Sequence, residues 1–281
     1  PAVRTLAVDY GYTVRETERP GDAIDHAAAA VEAGSTFVAA AGGDGTLNEV
    51  VRGIEAADAL DRVIVGIVPC GTGNNVAANL GITGIDHAFE VFEGGKRRWV
   101  DLAFADGRPF VNSCVGGLTA ESSRKTSPAA KKRLGVLAYV ATTLRTAPAF
   151  ESPRLTVRID ARDQSAPVWT GDALTVLVGN GRRFGPRASG SANLEDGLFD
   201  VTVVEAVPVH RLLSDVLVER LLDRESTYLT RFQARSLSIE VHDPETVRFS
   251  LDGEIIQARS LSVRNRPRAL SVAVGEGYVT A

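Results

Sequence analysis

The sequence predicts a chain in two parts: an α/β domain over residues 1–97, then an antiparallel β-sandwich over residues 98–281. Three observations carry this. An apolar run, a glycine-rich turn and a helical pattern occur in that order twice before residue 97. Near Trp99 the texture changes to many short apolar or alternating runs. Few helical patterns separate those later runs, which is the habit of antiparallel sandwiches rather than of βαβ units.

The elements follow in order. Pro1 to Val8 reads as the end of a helix, and Tyr12–Thr17 as a short strand ahead of Pro20-Gly21-Asp22. A helix from Ala23 to Ala33 stops at Gly34, as glycine favours. Thr36-Phe37-Val38-Ala39-Ala40-Ala41 is short, apolar and rich in small residues, like a buried strand. After Gly42-Gly43-Asp44-Gly45-Thr46, the residues Leu47, Val50, Val51 and Ile54 stand at i, i+3, i+4 and i+7, one face of an amphipathic helix. Val63–Val68 is the second strand, Pro69-Cys70-Gly71-Thr72-Gly73-Asn74-Asn75 the second turn, and Val76–Leu80 a helix ended by Gly81. Glycines at the C-terminal ends of both strands predict a parallel sheet, whose ligands bind at that edge.

Beyond Trp99 the strand candidates are Phe110–Cys114, Leu155–Ile159, Leu174–Val178, Phe199–Glu205, Leu237–Val241, Val247–Leu251 and Leu261–Val263. Ser236-Leu237-Ser238-Ile239-Glu240-Val241 alternates residue by residue. Two helices interrupt the series, Leu134–Arg145 with Leu134, Leu137, Ala138, Ala141 and Leu144 on one face, and His210–Leu222.

Composition excludes several classes. The 281 residues are 44% hydrophobic and 23% charged, as in globular domains. A net charge of −4 gives no basis for nucleic-acid binding. No apolar run approaches the ~18 residues of a membrane span, and no signal peptide is visible. Cys70 and Cys114 match no metal spacing and read as reduced thiols of a cytoplasmic protein. His26, His87, His210 and His242 are scattered without catalytic partners. The chain contains no Met and begins at Pro1, which predicts that residues of the full product are absent from it.

The first glycine turn is the main chemical signal. Its glycines allow positive φ and keep side chains away from a ligand. The first amides of the helix lack intrahelical partners and carry the positive dipole end, a place for phosphate. Asp44 adds a negative charge, which fits a site shared with a cation. The alternative is that Asp44 or Thr46 is a helix N-cap, and on this motif alone the two readings are balanced.

Four motifs in order make the chain resemble the diacylglycerol kinase catalytic-domain family, which includes bacterial and archaeal lipid kinases and the sphingosine and ceramide kinases. They are Gly42-Gly43-Asp44-Gly45-Thr46, Gly71-Thr72-Gly73-Asn74, Asn193-Leu194-Glu195-Asp196-Gly197-Leu198 and Leu251-Asp252-Gly253-Glu254, and Val178-Gly179-Asn180-Gly181 also fits. The first motif alone is shared with NAD kinases. The resemblance implies a Rossmann-like nucleotide domain ahead of the sandwich. It implies ATP contacts at Gly42, Gly43, Asp44, Gly45, Thr46, Leu47, Asn48, Glu49, Gly71, Thr72 and Asn75, with Thr17 a further contact. It implies a Mg²⁺ site at Asp196 with the carbonyls of Asn193 and Leu198, where Glu195-Asp196-Gly197 alone would pass for an ordinary turn. It implies that Asp252 and Glu254 reach the phosphoryl-transfer site, one as general base, with Asp44 a competing candidate. Without the resemblance, Asp252-Gly253 is a hairpin turn.

Two departures bear on this. Family members open with a strand and an Asn-Pro…Gly loop that this sequence does not contain, and many have Asp where Asn75 stands. Weaker ATP binding follows from the first, and loss of a charge from the second. The basic run Arg124, Lys125, Lys131, Lys132 and Arg133 reads as a solvated face, or as a contact for anionic lipid headgroups. The expected activity is ATP- and Mg²⁺-dependent phosphorylation of a diacylglycerol-like lipid hydroxyl by a peripheral membrane enzyme. An NAD kinase and an inactive nucleotide- or lipid-binding relic are the rivals. Oligomeric state is open, a homodimer included.

Overall fold

The computed structural model describes residues 2–118, 152–159, 168–181, 193–206 and 228–279. The predicted helices Leu134–Arg145 and His210–Leu222 and the basic run from Arg124 to Arg133 lie outside the described residues.

The first part opens with α1 (Ala2–Asp9), α2 (Asp22–Glu32), β1 (Phe37–Gly42), α3 (Asp44–Ala56), β2 (Ile64–Pro69), α4 (Asn75–Asn79) and α5 (Ile85–Gly94). The predicted strand at Tyr12–Thr17 is instead coil. Its polar atoms go to helices rather than to a strand: the Tyr12 amide donates to Ala7 O at 2.7 Å, and Glu16 O lies 3.0 Å from His26 Nε2. The predicted apolar face of α3 is buried, with Leu47, Val50, Val51 and Ile54 all inside. Gly53 sits where α3 crosses α2, and a Cβ there would run into Ile24 O and lie 2.8 Å from the Ala27 Cβ. A mid-helix glycine costs about 1 kcal/mol against alanine, which this close approach offsets.

The second part comprises β3 (Arg97–Ala105), β4 (Arg108–Phe110), β5 (Ser113–Gly117), β6 (Arg154–Ile159), β7 (Val168–Gly179), β8 (Phe199–Glu205), β9 (Leu229–Ala234), β10 (Ser236–Asp243), β11 (Val247–Leu251), β12 (Glu254–Ala258) and β13 (Ser260–Ala273). Leu237, Ile239 and Val241 of β10 point inward while Ser236, Ser238 and Glu240 are half-exposed, as the alternation predicts. The run Phe110–Cys114, predicted as one strand, is broken between β4 and β5 at Val111-Asn112. Their amides turn away from any ladder to a carboxylate described below.

Strands β1 and β2 are parallel, paired from Phe37↔Ile64 to Gly42↔Pro69. The far side of β2 is covered by the end of β13, also parallel, at Ser271↔Ile64 and Val272↔Val65. Strand β13 pairs antiparallel with β3 and β10 as well, so it joins the α/β part to the β-rich part. The β13–β3 register shifts between Arg266 and Leu270. There Arg268 takes φ +50° and its amide donates to Asp101 Oδ1 at 2.9 Å. One core holds the α/β helices together with Leu270 and Val272 of β13, and a second lies within the β-rich part around Phe110, Phe199 and Phe249.

Candidate active site

The in-register pairing of β1 and β2 brings the two glycine turns side by side. Cys70 N–H donates to Gly42 O at 3.0 Å, and Asp44 N–H to Gly73 O at 3.1 Å. The turns pass so closely that a Cβ on Gly71 would overlap the Gly43 backbone, and one on Gly43 would lie 2.8 Å from Gly73 O. None of Gly42, Gly43 and Gly45 uses the positive φ that glycine allows, nor do Gly71 and Gly73. Gly43 and Gly71 are required by loop-to-loop contact and Gly42 by the Thr46 side chain packed over it, whereas a Cβ on Gly45 or Gly73 would meet nothing nearer than 3.8 Å. The Asn74 side chain closes the second turn, accepting from Gly71 N–H at 3.1 Å and donating to Gly71 O at 2.9 Å.

Asp44 links the turns. Its Oδ2 accepts from the Asn75 amide at 3.2 Å and Asn75 Nδ2 at 2.9 Å, and its Oδ1 from the Val76 amide at 3.1 Å. It therefore caps α4, the neighbouring helix, while α3, whose N-cap is Gly43, has no side-chain cap. An aspartate at position 75 would set two carboxylates against each other, and Asn75 supplies a donor instead. The Asp44 amide is spent on Gly73, so fewer of the first α3 amides face a ligand than the sequence suggests.

On the other wall, Asp252 and Gly253 form the two-residue turn between β11 and β12, with φ +49° and +106°. Both angles are positive, as a type I′ hairpin requires. The turn aims the Asp252 carboxylate at the break between β4 and β5. Its oxygens accept from the amides of Val111 at 2.6 Å, Asn112 at 3.0 Å and Ser113 at 2.7 Å. Asn48 Nδ2 of α3 adds a bond at 3.1 Å. Burial pushes the Asp252 pKa up, the amides of Ser113 and Val111 oppose this, nearby Asp44 raises it further, and the balance lies at about 7. Glu254, two residues on, is partly exposed and is held by Arg52 Nη1 at Oε2 and by Arg108 Nη1 at Oε1, the latter at 3.4 Å.

A cleft of about 600 Å³ lies between the start of α2, α3 and this hairpin, lined among others by Gly21, Gly45, Asn48, Arg52, Asp252 and Glu254; of the two glycine turns only Gly45 reaches it. Glu49 also lines it and accepts from the Gly21 amide at 3.1 Å, which ties α3 to the start of α2. Thr17 lies exposed in the coil before α2, and Thr72 is exposed in the second turn. Sequence reasoning missed Arg52, Arg108 and the amides of Val111–Ser113. Only Arg52 has a sequence signal: Gly45, Asn48, Glu49 and Arg52 stand at i, i+3, i+4 and i+7, a second stripe on α3.

Asn193, Asp196 and Leu198 lie apart, beside the β13 bend. Asp196 Oδ1 accepts from the Leu198 amide at 2.9 Å, and Asn193 Oδ1 from the Glu195 amide at 3.0 Å. Asp101, buried in β3, accepts from the amides of Gly197 at 2.6 Å and Arg268 at 2.9 Å. Burial raises the Asp101 pKa, those two amides oppose it, and the negative charges of Asp196 and Glu195 raise it again. Glu195 itself is held below the usual carboxylate range, chiefly by two bonds from Arg98 at 2.8 and 2.7 Å, against the cost of burial, and further by the Tyr278 hydroxyl at 2.9 Å. Among the described residues no three acidic, His or Cys side chains group as a metal cluster. One carboxylate with main-chain carbonyls is a donor set of the hard-oxygen kind that Mg²⁺ takes.

A parallel α/β layer with paired glycine turns at its edge, facing an acidic hairpin from a β-sandwich, defines a kinase fold for a lipid or nucleotide acceptor. Residues 2–105 match the diacylglycerol kinase catalytic domain, and residues 112–274 the YegS C-terminal NAD kinase beta sandwich-like domain. A probable lipid kinase YegS-like protein of Pectobacterium atrosepticum is 31% identical over 266 residues, covering 92% of this chain and 86% of its own. One from Serratia proteamaculans is 30% identical, covering 92% and 82%. A diacylglycerol kinase structure from Bacillus anthracis shares the fold with TM-score 0.70 at 19% identity, covering 99% of this chain and 92% of that one. The chain belongs to the diacylglycerol kinase catalytic-domain family, in its YegS-like lipid kinase branch.

Proposed function

We propose that the protein transfers the γ-phosphate of ATP to a hydroxyl of a membrane lipid, of diacylglycerol type, working from the membrane surface. The observation that carries this is a cleft shared by α3 behind the first glycine turn and by the Asp252–Glu254 hairpin. The names of the relatives as probable lipid kinases support a lipid acceptor over a dinucleotide.

The triphosphate lies along the turns at Gly42–Thr46 and Gly71–Asn75. The lipid hydroxyl oxygen attacks the γ-phosphorus, the bond from that phosphorus to the bridging oxygen breaks, ADP leaves, and the hydroxyl proton passes to a carboxylate. Glu254 is the base. The lone pairs of Asp252 are filled by backbone amides and Asn48, and Asp44 is occupied on α4, whereas Glu254, among the described residues, meets the cations Arg52 and Arg108 and lines the cleft. Phosphoryl transfer runs through a loose transition state, so the base mainly orients the hydroxyl. Asp252 fixes the hairpin that carries Glu254. Mg²⁺, held by Asp196 with the carbonyls of Asn193 and Leu198, would supply positive charge that steadies this acidic corner of the fold.

The test is transfer from γ-labelled ATP with Mg²⁺ to a mixture of polar lipids and NAD, followed by organic extraction. Label in the organic phase, lost in Glu254→Gln, is the expected result. Label in the aqueous phase as NADP, or none in either phase, overturns the reading.

A further inference from the structure

Helix α3 carries two stripes of equal spacing. Leu47, Val50, Val51 and Ile54 face the core, and Gly45, Asn48, Glu49 and Arg52 face the cleft. Two members of the second stripe cross the cleft to the same hairpin: Asn48 to Asp252 at 3.1 Å, and Arg52 to Glu254. The two pairs start about one turn apart on α3 and end on either side of Gly253, so they tie the hairpin turn to the helix at two points.

The two arginines on Glu254 are not equivalent. Arg52 is 28% exposed and sits in the cleft wall, whereas Arg108 is 55% exposed at 3.4 Å, where solvent screens it more. A glutamate has three rotatable side-chain bonds, and a carboxylate left free would spend most of its time away from one orientation.

Resting on the kinase reading above, we propose that Arg52 is a positioning residue for the phosphoryl transfer. It clasps Glu254 from α3 and sets the carboxylate that the acceptor hydroxyl meets. It does so about two turns along the helix whose start lies at the glycine turns. Its contribution therefore falls on turnover and not on nucleotide affinity. Small misplacement of a catalytic group costs up to ~100-fold in rate.

The experiment compares wild type with Arg52→Gln and Arg52→Lys in the labelled-lipid assay, alongside binding of a fluorescent ATP analogue and the thermal midpoint. Arg52→Gln is expected to lower kcat by roughly 10- to 100-fold, with KM for ATP and analogue binding within about twofold. Arg52→Lys keeps the charge without the fork and recovers part of kcat. A kcat within about twofold of wild type, or a fall in kcat matched by lost ATP binding, overturns the assignment. A urea double-mutant cycle of Arg52→Gln with Glu254→Gln reads the clasp without turnover. Non-additive midpoint shifts support it, and additive ones overturn it even if the enzyme is active. A wild-type protein that labels no lipid sinks the kinase reading and the catalytic role of Arg52 with it, and coupling in the cycle would then leave the ion pair as architecture only.

Discussion

Asp44→Ala separates a structural carboxylate from one that acts on a ligand alone. Asp44 accepts from the amides of Asn75 and Val76 and from Asn75 Nδ2, at 2.9–3.2 Å. The capped helix, α4, has only five residues and cannot hold itself. Loss of a cap costs ~1–2 kcal/mol, and bonds to a charged acceptor reach ~1.5–3 kcal/mol each when enclosed. Asp44 is half-buried at an open edge, so water takes over part of each bond. The net expectation is ~2–3 kcal/mol, with Asp44→Asn near half of that because its amide group would face Asn75 Nδ2. The assay is urea unfolding of the protein without nucleotide or metal. A loss under ~0.5 kcal/mol in Asp44→Ala would refute the reasoning, because surface changes away from such bonds stay within that range.

Three further outcomes are expected. Gly71→Ala drives a Cβ into the Gly43 backbone, so stability falls by ~1–3 kcal/mol and ATP binding weakens in equilibrium dialysis; unchanged values for both would show that the turns are not in obligatory contact. Asp252 has a folded-state pKa near 7, above its ordinary ~3.9, so between these values the folded state binds the proton and the unfolded state does not. Stability therefore falls as pH rises from ~4 to ~7, by at most ~1.4 kcal/mol per unit, and is flat in this term above 7. Denaturation midpoints across pH 4–8 check this, and Asp252→Asn should remove that component of the slope. Asp196→Asn should abolish the rise in thermal midpoint on adding Mg²⁺ to wild type; a rise of equal size in both proteins places the ion elsewhere.

Where a signal is periodic or tied to turn chemistry, the sequence read well. The bounds of β8 and β11 were legible because short apolar runs end at turn residues, and the α3 core face because four apolar residues share one helical stripe. The Asp252-Gly253 hairpin was legible too, but as an alternative to a catalytic role, whereas the hairpin is what aims Asp252 and carries Glu254. Tyr12–Thr17 alternates without becoming a strand because its bonds run to helices, a tertiary matter. The receptor for Asp252 is made of main-chain amides, which have no side-chain signature. The capping of α4 by Asp44 depends on two turns meeting, and no local pattern announces such a contact. The polar stripe ending at Arg52 was present in the sequence, hidden beside a stronger apolar one.

The pairing of β13 with β2 sets the order of synthesis against the order of assembly. The edge of β2, with its buried Val65, Ile67 and Val68, receives Ser271 and Val272, so the first glycine turns emerge from the ribosome long before the strand that completes their sheet. Until then the nascent chain carries an apolar, unpaired edge of the kind that recruits other chains. Ala269, Leu270, Val272, Ala273 and Val274 also fill the core beneath the α/β helices, so a nick or frameshift just upstream of them would unsettle the glycine turns from far along the sequence. Completion of the sheet beneath the glycine turns thereby waits on a segment far downstream of them.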